Sequence, residues 1–580
     1  MIDSRLLIMS GCLVFSCVLG RHAAAYPTYA EVPYRFTQNP EVFDALFASA
    51  YMDTVRLSVI GDSQETSPGG AGAVVIPRLG YEFYQRYGNI PETQVASYSS
   101  YGGGGSVAAE MLLRNGAASP TPSQGRLSSH QVLPGMNVRA HSTKRYFSNI
   151  NGQAYGQLTG LLPSGEFVSS GVKLPDDVMM FDVSGEIRAE VFAGTHPDSG
   201  GLAYAARPVD GSMSYFAPVT TSGELEMGLA TETYAVRSAM TEPLDFDDKT
   251  YMAVELYGTD DDRLTDIVGM RYVNMHRPEG VVVSDLSVGG YATGTFLSRH
   301  DEAGAMYAAL GFDAAVITLS ANDGGFGVET DQYRVNLEQM IDRLRSWQGD
   351  SDYPVILITD PDRIELSAEE RAYYDQHAGV HYEIARSMSN VMSVNLRRTL
   401  AEAYWSVDSP YFDVYSNDGV HYTAEGARLV ASAMSAGILG ESWRFEFEIP
   451  GDADFSGVID GDDLPLLDYL IAEGEPAVDL NGDQMLDVLD RLVWLTEYLG
   501  VRAGDSNLDF QVDLVDLSEL AGSFGGSGMW EQGDFNGDGV VDLLDLSLLA
   551  QNFDQPASVP APSVAAVLGV LWLSSRMRQR

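Results

Sequence analysis

Val55-Arg56-Leu57-Ser58-Val59-Ile60 runs straight into Gly61-Asp62-Ser63-Gln64, and the fold is decided by how this stretch is read. Val, Leu and Ile at this density mark a strand with apolar surroundings. Gly-Asp-Ser is the turn that ends it. A serine hydroxyl on the turn after a buried strand lies where open α/β sheets keep their active sites, outside the carboxyl ends of the strands. Gly, Asp and Ser are also ordinary turn residues, so the stretch needs corroboration from elsewhere in the chain.

Corroboration comes in chain order. Leu286-Ser287-Val288-Gly289-Gly290-Tyr291-Ala292-Thr293 is a glycine turn able to aim a backbone N–H outward. The apolar strand Ala314-Ala315-Val316-Ile317-Thr318-Leu319 stops at Ser320-Ala321-Asn322-Asp323. A further strand, Val355-Ile356-Leu357-Ile358-Thr359, stops at Asp360-Pro361. Asp418-Gly419-Val420-His421-Tyr422-Thr423 then leads into an apolar-periodic helix from Ala424 to Ile438. An Asp-x-x-His pair alone carries little weight in so acidic a chain; in order behind the other blocks it carries much more.

Over residues 45–105 and 270–440, these blocks resemble the SGNH/GDSL hydrolase family. The resemblance implies an α/β fold with a flavodoxin-like parallel sheet between helices, and a serine esterase acting on ester bonds. Mapped onto this chain, it makes Ser63 the nucleophile, His421 its base and Asp418 the group that orients the imidazole. The oxyanion hole would combine the backbone N–H groups of Ser63 and Gly290 with the side-chain amide of Asn322, Gly289 being the other register. Gln64 stands where the family often has Leu. The first block also lies more than 220 residues before the second, rather than a few tens.

That interval reads as an inserted domain. Over 106–270 the apolar pattern switches to period two, as in Glu186-Ile187-Arg188-Ala189-Glu190-Val191, Glu224-Leu225-Glu226-Met227 and Tyr251-Met252-Ala253-Val254-Glu255-Leu256. A β-sandwich is the natural reading. It resembles carbohydrate-binding modules inserted in some SGNH polysaccharide O-acetylesterases, and reads equally as a spacer. The hydrolase halves are then 26–105 and 271–445.

The chain has 580 residues and a net charge of −46, from 81 Asp plus Glu against 35 Lys plus Arg. So acidic a chain repels phosphate backbones, which excludes nucleic acid as a partner class. The acid is concentrated and periodic in 451–555, where 24 acids face two arginines. Asp452, Asp454, Ser456, Asp460 and Asp463 occupy offsets 1, 3, 5, 9 and 12 of a loop. Asp479, Asn481, Asp483, Asp487 and Asp490 repeat them, as do Asp505, Asn507, Asp509, Asp513 and Asp516, and Asp534, Asn536, Asp538, Asp542 and Asp545. A twelve-residue loop with oxygens at these offsets wraps a calcium ion, with a glycine at position 6 for the sharp turn. Gly457 and Gly539 fill that place; Gln484 and Phe510 replace it in the middle loops. With Asp at position 12 and loops 26 to 29 residues apart, the pattern resembles the dockerin family. That implies small α-helical EF-hand-like repeats in two pairs, 446–500 and 501–556, structural calcium, and possible docking onto a cohesin partner. Positions 10 and 11, where the family usually recognises its partner through small polar residues, are Leu514-Val515 and Leu543-Leu544. Internal packing of the two halves is the other reading.

The ends read as addresses. Residues 1–25 have the form of a secretory signal, with Arg5, an apolar run and Ala23-Ala24-Ala25. Both cysteines, Cys12 and Cys17, lie inside it, so a disulfide scaffold is excluded. Residues 557–580 resemble a PEP-CTERM sorting tail, with Ala561 where Glu is usual. Together they imply an exported protein, extracellular or held at the cell surface, that meets membrane only through these segments. The combined expectation is an enzyme that hydrolyses an O-acyl, above all O-acetyl, ester on a polysaccharide. The rivals are an O-acyltransferase using the same acyl-enzyme and a non-catalytic surface protein. His377 and His381, four apart behind a capping box of Ser367 and Glu370, read as an exposed amphipathic helix rather than a metal site. Gly102 to Gly105 read as a hinge, and Arg139, Lys144 and Arg145 as a solvated edge.

Overall fold

The computed structural model describes residues 26–62, 64, 75–92, 127–133, 136–141, 157–158, 185–195, 201–209, 219–228, 235–245, 251–258, 265–287, 290–297, 301–361, 368–400, 415–416, 420–443, 451–453, 458–473, 476–483 and 485–555. Ser63, Asp418, Gly289, Ser367, the expected signal and the expected sorting tail lie outside the described residues.

The strands, in chain order, are β1 Arg35–Thr37 and β2 Thr54–Ile60, then β3 Leu127–Leu133, β4 Met136–His141, β5 Gln157–Leu158, β6 Ile187–Thr195, β7 Leu202–Val209, β8 Thr221–Leu225, β9 Ala235–Met240, β10 Tyr251–Gly258 and β11 Thr265–Asn274, and finally β12 Gly280–Asp285, β13 Ala314–Ile317, β14 Val355–Thr359 and β15 Val391–Asn395. The central sheet runs β1-β15-β14-β13-β2-β12. All its pairs are parallel except β1 on β15. Counted in chain order, the five parallel strands lie 2-1-3-4-5, the flavodoxin-like order. The direction of winding reverses between β2 and β13, so the switch-point crevice opens at their carboxyl ends.

Each strand splits its side chains between two apolar cores, as period two requires. Val55, Leu57, Val59, Val316, Ile356, Ile358 and Val394 face one core, which holds Phe43, Phe83 and Val430 from helices Pro40–Ser49, Val75–Tyr87 and Ala424–Leu439. Ile60, Ala315, Ile317, Val355, Leu357 and Val391 face the other, with Tyr307, Leu337 and Ile384 from helices Asp301–Leu310, Thr330–Gln348 and Ala368–Ser387. Burial on both faces is why β13 and β14 read as continuous apolar runs, whereas β2 carries Arg56 and Ser58 between its apolar residues.

The period-two region forms two antiparallel sheets, β5-β10-β7-β8 and β3-β4-β11-β6-β9. Residues 241–245 touch both. Thr241 and Leu244 donate N–H groups to Ala189 and Ile187 of β6, while the Glu242 N–H reaches the Tyr204 hydroxyl on β7 at 2.8 Å. The last strand continues to Asn274, past the expected boundary at 270. The extension matters because Arg271 lies on it. Arg271 bonds Glu190 at 2.7 Å and Glu92 at 3.1 Å, and Glu92 bonds Arg56 of β2 at 2.6 Å. Two cations and two anions thus form a largely buried chain from the sheet β3-β4-β11-β6-β9 into the central sheet.

In the tail, all four loops lead into a helix: Leu464–Glu473 by way of a short turn, then Val488–Val493, Leu514–Ser523 and Leu543–Asn552. The acids at positions 9 and 12 make a capping box in every copy. Asp513, for example, accepts from the Val515 N–H at 2.7 Å, and its own N–H reaches Asp516 at 2.8 Å. Leu514, Val515, Leu543 and Leu544 are exposed, whereas Val488 and Leu489, at positions 10 and 11 of the second loop, lie beside Gly537 of the fourth.

Candidate active site

The site is assembled on the turns at the carboxyl ends of β2 and β13. Gly61 and Asp62 continue from β2 and are buried. The Asp62 carboxylate reaches both sides of the turn: Oδ1 accepts the Gln64 N–H at 2.9 Å, and Oδ2 accepts the Asn322 amide at 2.8 Å. The other side of Ser63 is held too, since the Gln64 amide donates to the Val420 carbonyl at 3.1 Å. Both neighbours of Ser63 are therefore bonded to expected site blocks: Asp62 to the Asn322 turn, and Gln64 to the residue before His421.

The same Asn322 amide donates to the Tyr291 carbonyl at 2.9 Å, which adds the glycine turn to the assembly. Gly290 has φ +80, a left-handed conformation that favours glycine. Both Asn322 amide hydrogens are thus engaged. Donation to a developing oxyanion exchanges one of these bonds for another, an exchange that is modest in net free energy. His421 is half-buried. Its carbonyl accepts the Ser416 hydroxyl at 2.9 Å, and Thr423 caps the following helix by accepting the Gly426 N–H at 3.0 Å. A Cβ at Gly426 would stand 2.1 Å from the Tyr415 carbonyl, so only glycine lets this helix start beside the His421 loop.

A layer of buried polar groups supports the Asn322 turn. Ser320 hydrogen-bonds Asp360 at the end of β14, and the Ala321 N–H reaches the same carboxylate at 3.2 Å. Tyr374 donates to the Ala321 carbonyl at 2.5 Å and Tyr333 to the Leu319 carbonyl at 2.8 Å. Because Tyr333 spends its proton there, its oxygen accepts from His381 Nε2 at 2.7 Å, and His381 Nδ1 accepts the Thr359 hydroxyl at 3.1 Å. The expected exposed helix is corrected here: His377 and His381 are both buried. His377 stacks on Tyr333 with ring centroids 4.2 Å apart. Burial holds the His381 imidazole down to about 3. Burial, then His381 and Arg397, pushes His377 well below the ordinary histidine range. They are neutral groups inside the scaffold.

Of the expected catalytic set, Gly290, Asn322 and His421 are described, and they cluster with the residues flanking Ser63; Asp418 lies outside the described residues. The expected calcium ligands lie in the tail, Asp454 and Ser456 among them outside the described residues. Sequence reasoning did not pick out Asp62, Asp360, Tyr333 or Tyr374 as partners of the site. Asp62 and Asp360 could have been found, since each stands within two residues of the end of a buried strand.

Residues 251–429 match the GDSL-like lipase/acylhydrolase family. The span takes in Gly290, Asn322 and His421 and begins after Ser63, at the first residue of β10. A solved peptidoglycan O-acetylesterase is similar over 70% of this chain and 98% of its own, at 11% identity and a TM-score of 0.42. A lipase/acylhydrolase from Enterococcus faecalis covers 28% of this chain and 77% of its own, at 24% identity and a TM-score of 0.18. The acetyl xylan esterase Est2A from Butyrivibrio proteoclasticus covers 44% and 88%, at 11% and 0.20. Likenesses this loose say nothing of substrate. No curated protein sequence matches the chain. The family match, on a flavodoxin-like sheet, defines an enzyme acting on ester bonds.

Proposed function

We propose that the protein is an exported SGNH-type serine esterase that removes an O-acyl group, in the first place O-acetyl, from a polysaccharide. The observation that carries this reading is the double bonding around Ser63, from Asp62 to Asn322 and from Gln64 to Val420. Ser63 Oγ attacks the ester carbonyl carbon and passes its proton to His421, whose charged form Asp418 stabilises. The negative oxygen is met by the Ser63 and Gly290 N–H groups and the Asn322 amide. Collapse expels the sugar hydroxyl with the proton from His421, and water repeats the sequence to release the acid. The polysaccharide rests on the β-rich insert and the dockerin-like tail, and is an argument by association.

The same reading gives the tail structural calcium, held by oxygens at positions 1, 3, 5, 9 and 12. The ion would neutralise acids that otherwise repel one another. The donor set fits a hard cation: it is all oxygen, with no lysine or arginine at the liganding positions. Asp505 is raised to about 6, first by burial and also by Asp516 and Asp509, against the steadying Phe510 N–H. Among the described residues no group of acids stands ready to hold an ion. Asp505 and Asp534 instead accept the N–H groups of their own loops.

The test is acetate release from a panel of acetylated polysaccharides, with Ser63→Ala as control. Release by the wild type and not by the variant supports the reading. Equal release by both, or none from any polysaccharide, overturns it.

A further inference from the structure

Two turns build the proposed oxyanion hole, and side chains of one grip the backbone of the other. Gly290 has no side chain to hold it, and a methyl group placed there would meet nothing within 4 Å. The residues that follow it are held by side chains of the Asn322 turn. Asn322 takes the Tyr291 carbonyl, and the next residue, Asp323, takes Thr293 twice. The Thr293 N–H reaches Oδ2 at 2.9 Å and the Thr293 hydroxyl reaches Oδ1 at 2.5 Å. Asn336 donates to the same hydroxyl at 2.9 Å, and Gln332 steadies Asn336 at 2.8 Å. Asp323 and Thr293 are fully buried and Asn336 nearly so. Burying a carboxylate is costly, and the two Thr293 donors offset that cost only in this geometry.

We propose that Asp323 is a positioning residue of the oxyanion hole: its two-point hold on Thr293 fixes where the Gly290 N–H points relative to the Asn322 amide. The proposal rests on the serine-esterase reading above. A donor of this kind works by being preorganised at the place where charge develops. Loosening the clamp therefore slows the chemical step and leaves ground-state binding alone. Asp323→Asn keeps the shape but turns an NH₂ group toward a Thr293 donor. Thr293→Val removes the hydroxyl and keeps the N–H, and Thr293→Ser keeps both.

The experiment measures kcat and KM on a small acetyl ester, the rate of Ser63 labelling by a fluorophosphonate, and Tm, in the full chain. Asp323→Asn and Thr293→Val are expected to lower kcat and the labelling rate about 10- to 100-fold, with KM within about twofold. Thr293→Ser should restore most of the rate. The clamp is refuted if the wild type is labelled at Ser63 and both loosened variants react at its rate. It is refuted equally if Thr293→Ser is as slow as Thr293→Val, or if KM rises in step with the loss. A wild type that is not labelled at Ser63 overturns the serine-esterase reading and the clamp with it, a result distinct from the others.

Discussion

Acid should unfold this protein through two histidines that take no part in the proposed chemistry. His377 and His381 are buried beneath the Asn322 turn, between Tyr333, Tyr374 and Thr359, with Arg397 disfavouring a charge on His377. In the unfolded chain each takes up a proton near pH 6.5. In the folded protein His381 stays neutral down to about 3, and His377 is likewise well depressed. The unfolded state therefore binds more protons below pH 6.5. Stability is complete above that pH and falls as pH drops from 6.5 toward 3. The slope is about 1.4 kcal/mol per pH unit for each histidine. From pH 6.5 to about pH 5 that amounts to about 2 kcal/mol for His381, with a loss of the same sign from His377. Urea unfolding at about pH 7.5, 6.5 and 5, in the wild type and in His377→Gln and His381→Gln, isolates the contribution. Each variant should be less stable at neutral pH and lose about 1.4 kcal/mol per pH unit of the acid slope. Identical slopes in variants and wild type, or a ring titration of either histidine near 6.5 in the folded protein, would refute the argument.

Other perturbations test other parts. Removing one partner from the Arg56–Glu92–Arg271–Glu190 chain, as in Arg271→Met, strands buried carboxylates and should cost about 3–5 kcal/mol in urea unfolding; a loss under about 1 kcal/mol would show that the chain is not a keystone between insert and sheet. EDTA should lower a melting transition of the full chain and calcium should restore it, while magnesium at the same concentration restores less. Gln64→Leu removes the bond to the Val420 carbonyl and should lower kcat about 3- to 10-fold with Tm little changed, in line with the loss of one neutral hydrogen bond. An unchanged kcat would show that Gln64 does not help hold the Ser63 turn to the His421 loop.

Much of the frame was legible because its determinants are local. Val355 to Thr359 is a continuous apolar run, Val55 to Ile60 is an apolar strand interrupted by Arg56 and Ser58, and the candidate site lies on the turns that follow such strands. The tail loops keep one register four times. The structure also gives that register a second cause, since positions 9 and 12 cap a helix in every copy. What could not be read depends on partners far apart in sequence. The burial of His377 and His381 is set by Tyr333 and Thr359, which no helical periodicity reports. The hold of Asp323 on Thr293 spans 30 residues, and that of Gln64 on Val420 spans 356. Strand β1, three residues long on an edge, is too short for any periodicity to show.

The central claim is that Ser63 is the nucleophile of an ester hydrolase. Turnover of a small acetyl ester by the wild type and by Ser63→Ala, both confirmed folded by circular dichroism, tests it most directly. The account predicts hydrolysis by the wild type and a rate at background in the variant. Equal turnover by the two proteins would contradict it.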